Sequence, residues 1–222
     1  LLPGMDESTL DTVTAQLDAE AERLGLAIVG GHTESVAGLA RPLVSLTCLG
    51  VADRYVPTGG VEPGDKLVLT KGAGIEATAV LATDFREATG LDDATLDDGA
   101  DFFGDLSVMP EAATLSPVAT AMHDPTEGGV LGGLAEMAAA SDCRLRVDRS
   151  AVPVRETTRT ICASMGVDPL SVLGSGALVA AVAPADVDDA LAALDEEGIG
   201  AAEIGVAETG SGVAVDGELQ PT

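Results

Sequence analysis

Short apolar runs alternate with stretches of helical periodicity along this chain, and that alternation constrains the fold more than any other feature. From Asp6 to Leu24 the residues Leu10, Val13, Leu17, Ala21 and Leu24 recur at helical spacing, with Asp6 or Ser8 to cap the start and Gly25 to stop it. Leu1-Leu2-Pro3 before it reads as a strand end and a turn. Leu26–Gly30 and Leu43–Val51 are apolar runs of strand length and read as buried strands. Tyr55–Gly64, YVPTGGVEPG, holds two prolines and three glycines and reads as a linker. Beyond it the pattern predicts a strand over 65–70, a helix over 74–88 and an exposed acidic excursion over 89–106. Helices over 110–119 and 127–140 follow, then a strand over 143–148 and a helix over 153–165 with Pro153 in its first turn. A strand over 177–183, a helix over 185–197, a strand over 202–206 and a hairpin turning at Asp216-Gly217 complete the chain. The expected class is α+β with layered α/β packing. Residues 1–58 would be the back part of one domain and 59–222 a second domain.

Layers of this kind need a core, and here it must be aliphatic: among 222 residues there is no Trp, one Tyr and three Phe. Charge narrows the partners. Asp and Glu number 37 against 11 Lys and Arg, a net of −26. A surface of that sign repels phosphate backbones and anionic membranes, which argues against nucleic-acid and membrane partners. The charge fits either an acid-rich partner-docking protein or adaptation to high salt, where screening removes most of the self-repulsion; the acids are spread along the chain with no acidic tail, which favours salt adaptation. Cys48, Cys143 and Cys162 show no paired spacing and read as reduced core thiols. No run approaches the roughly 20 apolar residues a membrane span requires, and no signal peptide is visible, so the expected location is cytoplasmic.

Four stretches could carry chemistry. The first is MHDPTEGGVLGGLAEMAAA, residues 122–140. Pro125 ends a strand, Thr126 is a good N-cap, and Gly128 and Gly129 clear the first turn of a helix, where a ligand anion meets backbone N–H groups and the helix dipole. Asp124 could hold a metal or orient a nucleophile, and His123 could transfer a proton. The second is Gly30-Gly31-His32-Thr33-Glu34 at a strand end, where α/β folds place ligands and where His32 and Glu34 could bind Mg²⁺ or accept hydrogen bonds. In the third, Lys71-Gly72-Ala73-Gly74 lies between a strand and a helix and suits a phosphate, although the Walker spacing is absent. The fourth, Asp168–Ala177, carries Gly174-Ser175-Gly176, which could line a cleft. Each also has a plain reading: a capped helix, a Gly-Gly turn, a tight connection, a simple loop.

In this order IVGGHTE, GDKLVLTKGAGIEAT, DPTEGGVLGGLAEMA and GVDPLSVLGSGALVAAV resemble the aminoimidazole ribonucleotide synthetase-related superfamily. Its members include the purine enzyme itself, the hydrogenase maturation protein HypE, thiamine-monophosphate kinase and selenophosphate synthetase. The chain looks most like the archaeal synthetase-related and HypE-like branches. The resemblance implies an N-terminal α/β domain that dimerises, a C-terminal α+β domain, and ATP with Mg²⁺ between them. The implied chemistry transfers phosphate from ATP to an oxygen or other acceptor atom of a small molecule; in the synthetase and HypE branches the phosphorylated oxygen then leaves. It assigns Lys71, Gly72, Gly74, Thr126, Gly128, Gly129 and Thr33 to nucleotide or phosphate, Asp124 and His123 to catalysis, and Glu34 and Asp124 to metal.

The resemblance further implies a hydrogenase-maturation partner if the chain is HypE-like, and an N-terminal segment not included in this chain, so that the chain alone is expected to be inactive. Three departures are visible. His32 stands where many relatives have Asp, Glu127 stands where HypE has Arg, and no Cys ends the chain. They keep a second expectation open, a non-catalytic ligand-binding relative that has lost the metal set.

Overall fold

The computed structural model describes residues 7–34 and 42–220, and the chain divides into two units between Val51 and Ala52. In the first unit, α1 (Glu7–Arg23) is the predicted helix. The stripe of Leu10, Val13, Leu17, Ala21 and Leu24 is its half-buried face. Gly25, at φ 67°, ends it: its N–H reaches Glu22 O at 3.1 Å and the Leu26 N–H reaches Ala21 O at 2.8 Å, a Schellman closure. Ser8 lies inside the helix and is not its cap. Asp6 and the turn expected at Leu1–Pro3 lie outside the described residues.

The two strands expected at 26–30 and 43–51 are not formed. Both segments are irregular and exposed, with Val29 at 94 % and Val51 at 104 % of full accessibility. An apolar run becomes a strand only when a neighbour takes its backbone hydrogen bonds, and none of the described residues pairs with either run. Cys48, expected in a core, is exposed for the same reason.

The second unit is built on a seven-stranded sheet. Its strands are β1 (Lys66–Thr70), β2 (Ala119–His123), β3 (Arg144–Val147), β4 (Val179–Val182), β5 (Ala201–Glu208), β6 (Gly212–Val215) and β7 (Glu218–Leu219), in the order β2-β4-β1-β5-β3-β6-β7. Its helices are α2 (Ile75–Thr83), α3 (Arg86–Thr89), α4 (Asp93–Ala100), α5 (Met109–Leu115), α6 (Gly129–Ser141), α7 (Glu156–Met165) and α8 (Val187–Glu196). All strand pairs are antiparallel except β3 with β6. The mixed architecture is the layered α+β class that the alternation predicted.

β1 and β4 lie inside the sheet and are buried on both faces, which is why KLVLT and VAAV read as unbroken apolar runs. Side chains alternate between two cores. Leu67, Leu69, Val179 and Ala181 meet Val130, Leu134 and Met137 of α6. Val68, Ala180 and Val182 meet Leu115 of α5 and Ala190 and Leu194 of α8. Beside the sheet, α2, α4 and α7 make a helical lobe around Ala82, Leu96 and Ile161. The hairpin turns at Asp216 and Gly217, at φ 51° and 87°, as expected for this dipeptide.

Several boundaries differ from expectation. The acidic excursion at 89–106 is folded: Asp92 caps α4 through Thr95, and those hydrogen bonds hold its carboxyl below the usual range. Leu96 and Phe102 anchor the segment, and Arg155 locks it by pairing with Asp105 at 2.6 Å and stacking 4.6 Å over Phe102. The helix expected over 74–88 breaks at Asp84-Phe85. The helix expected from Pro153 starts at Glu156, because the Pro153 carbonyl instead takes the Ala73 N–H at 2.9 Å. Residues 57–61 pack on the second unit: Pro57 O accepts the Met122 N–H, and Ser141 Oγ accepts the Gly60 and Val61 N–H groups. Among the described residues no helix is long and apolar enough to cross a membrane.

Burial separates the thiols. It raises the Cys143 thiol and pushes Cys162 up to about 11, while Cys48 stands in solvent. Alkylation of the native protein followed by peptide mapping is expected to label Cys48 first, and Cys143 and Cys162 only on unfolding. Equal labelling of all three in the native state would contradict the described core.

Candidate functional site

The site is the turn between β2 and α6. Asp124, Thr126, Glu127 and Gly128 are exposed, while Pro125 and Gly129 are buried. Thr126 is not the N-cap. The cap position is Gly128, at φ 80°, and no side chain closes the helix there. Thr126 contributes its carbonyl, which accepts the Gly129 N–H at 3.1 Å and the Gly174 N–H at 3.0 Å.

The two glycines do different jobs. A Cβ on Gly128 would meet nothing nearer than the Gly132 Cα at 3.4 Å, so its face is open. A Cβ on Gly129 would overlap the carbonyl of Val172 and come within 2.6 Å of the Leu170 carbonyl. Gly129 is therefore glycine so that the 168–176 loop can close on the helix, not so that a ligand can approach. Gly133 serves packing too, since its Cβ would stand 2.9 Å from the His123 ring.

That loop caps two helices. Leu170 O accepts the Leu131 N–H of α6 at 3.1 Å, while Ser175 O and Leu173 O accept the Glu76 and Ala77 N–H groups of α2, each at 3.2 Å. Between them lies an apolar groove of about 360 Å³, lined by Val80, Leu81, Phe85, Val172 and Leu173, with Glu127 and Gly128 at its edge.

His123 is held by two protein groups. Its Nδ1 is 3.3 Å from Thr58 Oγ1, its Nε2 is 3.1 Å from Glu136 Oε2, and its side chain is 14 % exposed. Both ring nitrogens thus have protein partners. Thr58 and Glu136 carried no local signal, since both pairings arise only when the 57–61 segment and α6 flank β2.

The Lys71 turn is also closed. Lys71 adopts φ 54°, and its ammonium donates to Asp105 O at 2.8 Å and Ser107 O at 2.7 Å and pairs with Glu111 at 2.7 Å. Three acceptors engage all three N–H donors of an ammonium. Gly72 and Gly74 are buried: a Cβ on the first would lie 2.9 Å from Pro153 O, and on the second 3.0 Å from Thr158. Lys71, Gly72 and Gly74, expected at phosphate, are thus taken up by protein groups here. The strand–Lys–glycine pattern marks a buried anchor, and Glu111, some forty residues away in sequence, is the partner that sequence could not supply. Glu111 is 2 % exposed, and its Oε2 has no partner among the described residues.

Thr33 and Glu34 lie in the first unit on an exposed irregular segment, where His32 Nε2 is 3.7 Å from Glu34 Oε2. Among the described residues no group of three or more His, Cys, Asp or Glu side chains could hold a metal ion. Asp124 is an exposed carboxylate that belongs to no such group.

Residues 62–218 match the family described as AIR synthase related protein, C-terminal domain. Carbamoyl dehydratase HypE of Rhodobacter capsulatus is 31 % identical over 208 residues, covering 91 % of this chain and 60 % of that protein. Thiamine-monophosphate kinase of Halobacterium salinarum is 30 % identical over 195 residues, covering 86 % and 62 %. The crystal structure of E. coli HypE, a hydrogenase maturation protein, superposes with a TM-score of 0.79 at 28 % identity, covering all of this chain and 70 % of that one. The chain therefore spans less than two thirds of the length of these two curated relatives.

Two measurements check this geometry. Gly128→Ala should cost about 1–2 kcal/mol, the left-handed penalty alone. Gly129→Ala should cost more, because its methyl group displaces the capping loop; equal urea midpoints for the two variants would refute that packing role. Lys71→Met strands a buried carboxylate and should cost about 3–5 kcal/mol, most of it recovered in Lys71→Met/Glu111→Leu.

Proposed function

The chain belongs to the AIR synthase related proteins through their C-terminal domain, and on that premise we propose that it is part of an ATP-dependent enzyme of this superfamily. The proposed reaction passes a phosphoryl group from ATP to an oxygen of a small-molecule acceptor, as a kinase or as the first half of a dehydration. The observation that carries this reading is the N-terminus of α6 at Gly128, which no side chain caps and which is exposed beside Asp124 on the lining of an apolar groove. The Gly129 and Leu131 N–H groups are held by the Thr126 and Leu170 carbonyls, so the helix dipole and the open Gly128 face are what favour an anion such as a phosphate.

Asp124 is the carboxylate of this unit assigned to Mg²⁺. Magnesium commonly takes only one or two protein carboxylates when substrate phosphates complete its shell, so a lone exposed Asp fits a nucleotide-borne ion. Bound there, the ion would neutralise charge on the transferring phosphate. Thr126 and Gly128 are assigned to phosphate, and Glu34 and Thr33 of the first unit to metal and nucleotide. Residues 1–58 are assigned to the dimerising domain and 59–222 to the C-terminal one. The exposed apolar runs at 26–30 and 43–51 support a homodimer, whose partner strands would cover them. A hydrogenase-maturation partner is proposed from the HypE relatives, and adaptation to high salt from the net charge of −26.

A second reading, a non-catalytic nucleotide- or ligand-binding relative, is favoured by one specific set of observations. Lys71 and His123 are both engaged by protein groups, and the described metal-capable side chains form no cluster.

Titration calorimetry of ATP with Mg²⁺ in molar KCl separates the readings. Binding that weakens at least tenfold in Asp124→Asn supports the first. Binding that Asp124→Asn leaves unchanged refutes the assigned site, and an absence of binding moves the assignment to the non-catalytic relative.

A further inference from the structure

On the other side of the 168–176 loop lies a second pocket, of about 330 Å³, lined by Arg149, Ser150, Val154, Arg159, Leu170 and Asp216 among others. It sits between the short helical turn Arg149–Ala151, the start of α7 and the Asp168–Leu170 corner. Two arginines meet in it, on a chain where acids outnumber bases by 37 to 11.

The carboxylates around it are each engaged through one oxygen. Asp168 Oδ1 accepts from Arg149 at 2.6 Å and from the Leu170 N–H at 3.1 Å. Asp216 Oδ1 accepts the Arg149 backbone N–H at 3.0 Å, and Asp148 takes the Ser150 N–H and hydroxyl at 2.8 and 2.6 Å. The donors are not used up. Arg149 gives one guanidinium nitrogen to Asp168 and keeps the rest. The Arg159 guanidinium has no hydrogen bond or ion pair with any described residue, while every other described lysine and arginine has one. With carboxylates so abundant, an arginine that meets none while facing a concavity is unusual. The Asp168 and Asp216 contacts also fix Arg149 in place, so its remaining N–H groups are preorganised. Val154, Pro169 and Leu170 supply an apolar wall beside these donors.

We propose that this pocket is a binding site for a small organic oxyanion: a carboxylate or phosphate group read by the Arg149–Arg159 pair, carried on a compact apolar body that packs on Val154 and Leu170. A planar guanidinium fork matches both oxyanions, and a lining that holds two arginines and one carboxylate, with the Arg159 guanidinium unpaired among the described residues, favours an anion over a cation. The site is separate from the α6 N-terminus and does not depend on the function proposed there.

Phenyl phosphate and benzoate are the probes, with inorganic phosphate and acetate as the same groups without an apolar body, each titrated calorimetrically into the full chain. The expected result is saturable binding of at least one aromatic probe, at least tenfold tighter than its inorganic or acetate counterpart. The stronger of the two identifies the group the pocket reads. Arg159→Gln should weaken that binding at least tenfold with an unchanged Tm, since the guanidinium has no hydrogen bond or ion pair with a described residue to lose, and Asp124→Asn should leave it intact. Wild-type affinity in Arg159→Gln, loss of binding in Asp124→Asn, or no saturable binding of either aromatic probe would each overturn the proposal.

Discussion

The loop from Asp168 to Gly176 is the constraint on which the second unit's surface depends. Two helices, α2 and α6, begin at glycines that have no side-chain cap. Their orphan N–H groups are taken by carbonyls of this one loop: Leu173 and Ser175 for α2, Leu170 for α6. A backbone group left unpaired in the interior costs free energy comparable to a lost hydrogen bond, so the loop cannot leave either helix cheaply. Close approach is what makes the arrangement work: it requires glycine at 129, where a Cβ would overlap neighbouring carbonyls, and it is tight at 174, where a Cβ would stand 3.0 Å from the Pro125 carbonyl. The two pockets described above are both lined in part by residues of this loop.

The same loop explains why the glycine-rich motifs misled in detail while pointing to the right place. DPTEGG was legible as a strand-to-helix junction, and it is one. Which glycine faces solvent was not legible, because the answer lies in a carbonyl some forty residues further on. KGAG looked like a phosphate cradle by the same logic, yet its glycines admit Pro153 and Thr158 and its lysine is neutralised by Glu111. Local sequence shows where the backbone must be unhindered; it does not show whether a ligand or another part of the chain fills the space.

Element type was read well where burial enforces periodicity. β1 and β4, α6 and α8, and the stripe on α1 all followed from spacing alone. The failures have two physical causes. In 89–106 a high density of acids concealed two anchors, Leu96 and Phe102, and burying those two side chains on α2 and α7 is enough to fold the segment. In 26–30 and 43–51 the propensity for strand was present, but a strand is a property of a pair and no described residue pairs with them.

Charge acts at two scales that should be kept apart. The carboxylate excess is carried on the surface, where each ion pair contributes about 0–1 kcal/mol and salt weakens it further. Pairs such as Arg23 with Glu20 or Arg86 with Asp93 therefore do little to hold the fold. Lys71 with Glu111 is different: it is buried, and it ties the β1–α2 turn to the start of α5 and, through two carbonyls, to the segment before it. A chain with two lysines has placed one of them where no water screens it. In a background so rich in acids, the informative cations are therefore the ones whose partners are unusual: Lys71, whose partner is buried, and Arg159, which has none among the described residues.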